Sequence, residues 1–141
     1  ILVDIDGTVA LMGDRGPYDW HRVGEDEPNE KVIEIIKTLL DYHDEYGAMH
    51  FIFLSGRDEV CRDQTLAWLH KHVNYGSYWG TELYMRSEGD NRKDSIVKFE
   101  LFNRYVRHNY DVRAVFDDRD QVVKMWRDLG LTCLQVAPGA F

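Results

Sequence analysis

Cysteine is scarce in this 141-residue chain: Cys61 and Cys133 stand far apart. Two distant thiols make neither a disulfide framework nor a zinc pattern. Reduced cysteines in a cytoplasmic compartment are the default expectation. No apolar run approaches the roughly 20 residues that a membrane-spanning helix needs, and no basic-then-apolar leader opens the chain. The phosphate-binding loop Gly-x-x-x-x-Gly-Lys is missing, which excludes a nucleotide-fuelled kinase of that type. Positive charge is also short, with 17 Lys and Arg against 25 Asp and Glu and a net charge of −8. Such a chain is a poor non-specific polyanion binder, so any nucleic-acid contact needs a local basic patch. Repeats and low-complexity tracts are absent. With 44% hydrophobic residues, the chain can bury the core of one compact domain. Only three apolar residues precede Asp4, fewer than the five or six of an ordinary strand. Residues 1–141 are therefore expected to be a single domain cut from a longer polypeptide.

The most informative stretch is Asp4-Ile5-Asp6-Gly7-Thr8. In extended backbone, side chains alternate, so Asp4 and Asp6 project to the same side. One carboxylate can attack while the other manages a proton. A solvated turn at a strand end also uses Asp and Gly, so the rest of the chain must decide.

Apolar spacing predicts a helix from Asn29 to about His43, with Val32, Ile33, Ile35, Ile36, Leu39 and Leu40 on a wide inner face and Gly47 closing the unit. Met49–Leu54 reads as a buried strand ending at Ser55-Gly56-Arg57. A helix is expected over Asp58–His72, a strand over Glu82–Met85, and a helix over Asp94–Arg107 with Ile96, Val97, Leu101, Phe102 and Tyr105 inward. Val112–Phe116 is a strand running into Asp117-Asp118. Arg119–Leu129 is a helix stopped by Gly130, and Leu131–Val136 is the last strand. Alternating strands and helices imply an α/β, Rossmann-like fold with a mainly parallel sheet covered on both faces. The stretch from Ala10 to Pro28 is long for a strand-to-helix connection and reads as a small flap or minimal cap.

In an open parallel sheet, ligands bind at the carboxyl ends of the strands. The reactive residues fall there. The first strand ends at Asp4 and Asp6, and the second at Ser55 and Arg57. Arg86, Arg92, Lys93 and Lys98 follow the third, and Asp117 and Asp118 follow the fourth. Two like charges 4 Å apart repel by about 4 kcal/mol at an effective dielectric of 20, so this cluster calls for a cation. All-oxygen ligation suits Mg2+, and the Ser, Arg and Lys groups suit phosphate oxygens. Together these make a phosphoryl-transfer site.

The order Asp-x-Asp-Gly-Thr, strand–Ser-Gly-Arg, lysine, Asp-Asp resembles the haloacid dehalogenase-like phosphatases over essentially the whole chain. Arg15-Gly16-Pro17-Tyr18-Asp19, Gly89-Asp90-Asn91-Arg92-Lys93-Asp94 and Asp117-Asp118-Arg119-Asp120-Gln121-Val122-Val123 resemble the 3′-phosphatase domain of phage-type polynucleotide kinase/phosphatases. So does the close from Met125-Trp126-Arg127 to Gln135-Val136-Ala137. The resemblance implies that Asp4 forms an aspartyl-phosphate and that Asp6 is the acid/base group. It implies that Ser55 holds a phosphate oxygen and that Arg15 and Arg57 are needed for activity. Asp4, the carbonyl of Asp6, Asp117 and Asp118 would hold Mg2+. Lys98 is the first choice for the lysine that meets Asp4 and the phosphate, and Lys93 the second. Thr8, Gly56, Arg86, Lys93, Asp94 and Arg119 fall on the substrate side. The implied substrates are DNA or RNA 3′-phosphate ends, with a linked kinase domain and a cytoplasmic setting in the host cell if phage-encoded.

Some residues have ordinary readings. His70 and His72 lie two apart and do not share a helix face, so they make no metal pair. Trp20, Trp68, Trp79 and Trp126 are expected to pack, with Tyr18 and Trp20 set apart by their place in the flap. Two rivals remain: a small-molecule phosphatase such as a nucleotidase, and a non-enzymatic phospho-acceptor domain. The acid/base position of Asp6 disfavours the second.

Overall fold

A computed structural model describes residues 1–44, 49–76 and 81–141. Gly47, expected to end the first helical unit, and Trp79, expected to pack, lie outside them. The strands are β1 (Leu2–Val3), β2 (Ala10–Leu11), β3 (Glu27–Pro28), β4 (Phe51–Asp58), β5 (Thr81–Arg86), β6 (Val115–Asp117) and β7 (Cys133–Gln135). The α-helices are α1 (Glu30–Asp44), α2 (Arg62–Val73), α3 (Asp94–Tyr105) and α4 (Asp120–Asp128). Among the described residues the main sheet has the order β5-β4-β1-β6-β7, parallel throughout. The chain runs outward from β1 to one edge, then returns to build the other, so β1 sits at the switch point where ligand crevices form.

Period-two alternation divides the core between the sheet's two faces. Val3, Phe51, Phe53 and Phe116 join Ile33, Ile36, Trp68 and Leu69 of α1 and α2 in one cluster. Their strand neighbours Leu2, Ile52, Leu54 and Val115 join Phe102, Val122, Val123 and Trp126 of α3 and α4 in the other. Each central strand is thus buried on both sides, which is why its sequence reads as a continuous apolar run.

Two expected inward residues face out: Ile35 is 53% exposed and Ile96 43%. Each precedes a buried neighbour, Ile36 or Val97. At 3.6 residues per turn, adjacent residues diverge by about 100°, so both cannot meet the sheet. The other large difference is at β4, which continues to Asp58 instead of stopping at Leu54. The β4–β5 register shifts between Ser55 and Asp58, which sets Gly56 and Arg57 in a bulge. Such bulges re-aim side chains beside functional sites. The flap contains the antiparallel pair β2–β3 and a 3-10 helix over Trp20–Glu25.

Adjacent residues of α1 should differ sharply in their effect on stability. Ile36→Ala removes a fully buried side chain and should cost roughly 2–5 kcal/mol, whereas Ile35→Ala should change stability by no more than ~0.5 kcal/mol. Urea unfolding of both variants measures the contrast, and similar losses would contradict the described orientation of α1.

Candidate active site

Asp4 and Asp6 leave β1 at its carboxyl end, and both line one cleft of about 470 Å³. Gly56, Arg86, Lys93, Asp94, Asp118 and Arg119 line it too. The turn after Asp6 needs glycine: Gly7 has φ +83°, and a side chain there would collide with the Asp118 carboxylate. Gly56 meets the same limit, since a Cβ would strike the Asp94 carboxylate.

Lys98 is the hub. Its side chain is 1% exposed, and it reaches up from the second turn of α3. Nζ donates to Asp4 Oδ1 at 2.6 Å and to Asp117 Oδ2 at 2.9 Å, and stands 3.5 Å from Asp94 Oδ2. Burial alone would lower its pKa, but Asp117, Asp4 and Asp94 outweigh burial and keep it protonated. Lys93 is different. It caps α3, is exposed, and touches neither Asp4 nor another carboxylate among the described residues.

Thr8, expected on the substrate side, is fully buried against Asp4. Its Oγ1 donates to Asp4 Oδ2 at 3.0 Å, so both Asp4 oxygens have partners. Burial pushes the Asp4 carboxyl well above its ordinary range; Lys98 opposes this, and Asp117, Asp118 and Asp94 add to it. Ser55 is fully buried, its Oγ accepting from the Arg57 backbone N–H at 3.1 Å.

Arg15 and Arg57 converge on Asp6 rather than opening into the cleft. Arg57 grips Asp6 with Nε at 3.0 Å and Nη2 at 2.9 Å, and Arg15 Nη2 adds a bond of 2.8 Å. Burial would raise the Asp6 pKa, but Arg57, then Arg15 and Lys98, hold it below the usual carboxylate range. Both arginines are themselves held by Asp26. Arg15 makes bonds of 2.5 and 2.8 Å to its two oxygens, and Arg57 one of 2.5 Å. The Asp26 side chain is completely buried, and its carbonyl accepts from Trp68 Nε1 at 2.7 Å. Sequence inspection passes over Asp26, which lies in the acidic run Glu25-Asp26-Glu27 and looks like a solvated loop.

Arg86 and Arg119 also differ from free phosphate clamps. Arg86 donates to the carbonyls of Gly56, Asp90 and Arg92 at 2.7, 3.0 and 2.7 Å and to Asp94 Oδ1 at 3.2 Å. It therefore pins the loop before α3, with one N–H left over. Arg119 lies 3.7 Å from Asp94 and over the Phe141 ring at 4.7 Å, at the rim of the cleft. Asp94 takes all these cations into one buried carboxylate at the start of α3, where the helix dipole favours negative charge.

The charges divide into three groups. Asp6 and Asp26 balance Arg15 and Arg57. Asp94 balances Arg86. Asp4, Asp117 and Asp118 lie together with Lys98 as the one cation hydrogen-bonded to them, so three carboxyl groups share a single ammonium, with Arg119 acting on Asp118 only from a distance. One oxygen from each of these three carboxylates lies within 4.8 Å of the others. Asp117 accepts from Lys98 and from Trp126 Nε1 at 3.3 Å on Oδ2, and from the Arg119 N–H at 3.2 Å on Oδ1. Among the described residues no cationic side chain pairs with Asp118, whose carboxyl is pushed up to about 6 by burial, then by the charge of Asp117. An all-oxygen donor set in which carboxylates outnumber the cations bonded to them fits a divalent cation.

Asp26→Asn keeps the shape but removes the charge that two buried arginines share, and unpaired buried charge is costly. The variant should lose activity by at least roughly a hundredfold, because Arg15 and Arg57 are no longer held in place on Asp6. Circular dichroism should show a retained sheet. Activity close to wild type would show that Arg15 and Arg57 do not need Asp26.

Comparison with known proteins matches this geometry. The family model described as the polynucleotide kinase PNKP phosphatase domain matches residues 1–141. A protein of Autographa californica nuclear polyhedrosis virus, assigned provisionally as a bifunctional polynucleotide kinase/RNA ligase, is 44% identical over 130 residues. That match covers 92% of this chain and 18% of the viral protein. A chain from the Pnkp1/Rnl/Hen1 RNA repair complex superposes with a TM-score of 0.86 at 37% identity, covering 99% of this chain and 42% of that one. A second structure of the Pnkp1/Rnl/Hen1 complex gives 0.88 at 36% identity, covering 100% and 46%. The chain therefore spans less than half of each solved relative and under a fifth of the viral one. A parallel sheet that gathers Asp4, Lys98, Asp117 and Asp118 at its carboxyl edge, together with a family match along its full length, makes this chain a member of the phosphatase-domain family of polynucleotide kinase PNKP.

Proposed function

We propose that this domain removes terminal 3′-phosphates from nucleic-acid strands, in a Mg2+-dependent reaction that passes through an aspartyl-phosphate on Asp4. The observation that carries the reading is the Asp4–Lys98–Asp117 contact beside an uncompensated Asp118. It supplies a nucleophile, a fixed cation and room for a second one. Asp4, Asp117 and Asp118 would hold Mg2+ there, with the Asp6 carbonyl as the further ligand that the family resemblance implies. The ion would supply positive charge to the transferring phosphoryl group.

Phosphate monoesters are among the slowest substrates to hydrolyse unaided, and a covalent intermediate splits the barrier. An Asp4 oxygen bonds to phosphorus as the bond to the sugar oxygen breaks. Thr8 and Lys98 limit the carboxylate to one orientation. The Lys98 ammonium offsets charge on the phosphoryl oxygens, and the Ser55 hydroxyl, which only accepts in the resting structure, has its proton left to donate. Asp6 gives its proton to the leaving oxygen and later takes one from the attacking water, releasing phosphate and free Asp4. The Arg15–Arg57 grip favours the carboxylate and so readies Asp6 for that second step. An incoming phosphate adds like charge nearby, which raises the Asp6 pKa and favours the protonated form for the first.

No helix among the described residues is long and apolar enough to cross a membrane, and both cysteines are buried and free, in keeping with a reducing compartment. The lengths of the relatives fit a domain that works within a longer polypeptide, beside a kinase domain, in nucleic-acid end repair.

The substrate assignment is tested by measuring phosphate release from matched 3′-phosphorylated and 5′-phosphorylated oligonucleotides, a 3′-mononucleotide and an aryl phosphate, with and without chelator. The 3′-phosphorylated strand should be the best substrate, and chelation should stop turnover. A preference for mononucleotides would favour a nucleotidase, and full activity in excess chelator would exclude the metal.

The covalent step has a separate test. Asp4→Asn should lower turnover by more than about a thousandfold, since the nucleophile is lost. Acid quench of wild type should trap an acyl phosphate, labile to hydroxylamine, that the variant lacks. Substantial turnover by Asp4→Asn would refute the covalent route.

A further inference from the structure

Large apolar side chains that face solvent singly are ordinary, but several grouped around one cleft mark a binding site. Among the described residues seven face solvent, and three of them, Leu11, Tyr18 and Phe141, line the catalytic cleft. Tyr18 is 78% exposed, the most open of the seven. Its ring is not loose. Trp20 meets it at 85° with centroids 6.1 Å apart. The turn beneath is closed by Asp19, whose N–H donates to the Gly16 carbonyl at 3.1 Å and whose Oδ2 accepts from the Gly16 N–H at 2.9 Å. The Trp20 N–H donates to the Tyr18 carbonyl at 2.9 Å.

Three residues before Tyr18 stands Arg15, buried and bonded to Asp6 and Asp26. The backbone that carries the ring is therefore anchored close to Asp6, and Tyr18 and Asp6 line the same cleft, where the leaving sugar oxygen would lie. Removing phosphate needs no aromatic ring there. A base attached to that sugar would use one.

Charge points the same way. Two of the four cations lining the cleft are already committed: Arg86 to carbonyls and Asp94, Arg92 to Asp90 and Glu100. With a net charge of −8 over these 141 residues, the overall field of this chain does not favour a strand. Stacking carries no such dependence, and every base offers a π face, so it grips a strand end without reading sequence.

We infer that Tyr18, braced by Trp20, is the stacking platform for the base of the 3′-terminal nucleotide. The inference rests on the 3′-phosphatase reading and adds a subsite to it.

The test compares kcat/KM on two single strands that carry a 3′-phosphate, one with a normal terminal nucleotide and one whose terminal sugar lacks a base. Wild type should favour the base-bearing end by on the order of ten- to a hundredfold. Tyr18→Phe keeps the ring and should keep this ratio, while in Tyr18→Ala the ratio should fall to about one. Because the ratio is internal to each variant, partial misfolding does not alter it. A wild-type ratio near one overturns the platform, as does a ratio that survives in Tyr18→Ala, the result expected if the ring only supports the flap or meets a protein. Hydrolysis of an aryl phosphate with no release from either strand overturns the strand-end substrate itself, and the platform with it.

Discussion

Charge compensation at the carboxyl edge of the sheet is the constraint on which this structure depends. Six buried or half-buried aspartates, at positions 4, 6, 26, 94, 117 and 118, converge there with a handful of cations. Water cannot screen them well, so each charge must be met by a specific partner. The partners come from distant segments. Lys98 of α3 links the ends of β1 and β6. Arg57, in the β4 bulge, links β1 to the flap through Asp6 and Asp26. Arg86 links β5 to α3 through Asp94. The ion pairs thus tie the strand ends together as well as preparing the chemistry.

The same partition separates two chemical environments only two residues apart. Asp4 has one ammonium and several carboxylates around it, so burial and like charge dominate. Asp6 has two guanidiniums, so opposite charge dominates. One carboxyl is pushed up and its neighbour down, by partners that the fold supplies to opposite sides of one short stretch. The flap is central to this division. It provides both Arg15 and Asp26, so a segment that looks like a minimal cap also holds Asp6 in place.

Much of the architecture is legible in the sequence. Apolar runs before Asp4, over Met49–Leu54 and over Val112–Phe116 mark strands, found at Leu2–Val3, Phe51–Asp58 and Val115–Asp117, and helical spacing marks α1, α3 and α4. The Asp4/Asp6 pair and Asp117-Asp118 announce themselves by standing directly after such runs. Lys98 is legible because it sits one helical turn after Asp94. The continuation of β4 through a bulge is not, because Ser55-Gly56-Arg57 also reads as a turn. Asp26 is hidden more deeply: an acid between two glutamates looks solvated, and only the arrival of Arg15, Arg57 and the Trp68 indole buries it. For the arginines, charge type alone does not show what they meet inside the protein. Charge type suggests that Arg15, Arg57 and Arg86 reach for phosphate, yet each finds acceptors within the protein.

Local sequence determined what depends on neighbours along the chain: alternation that buries a strand on both faces, spacing that gives a helix its apolar side, and a glycine at the positive-φ turn after Asp6. Those preferences act within a few residues, so they can be read without the fold. Partner choice depends on which segments the fold brings within hydrogen-bond reach, across separations of 11 residues for Arg15 and Asp26 and 94 for Lys98 and Asp4. Tertiary structure alone decided which carboxylates are neutralised by arginine, which share a lysine, and which are left with the excess negative charge that a divalent cation fits.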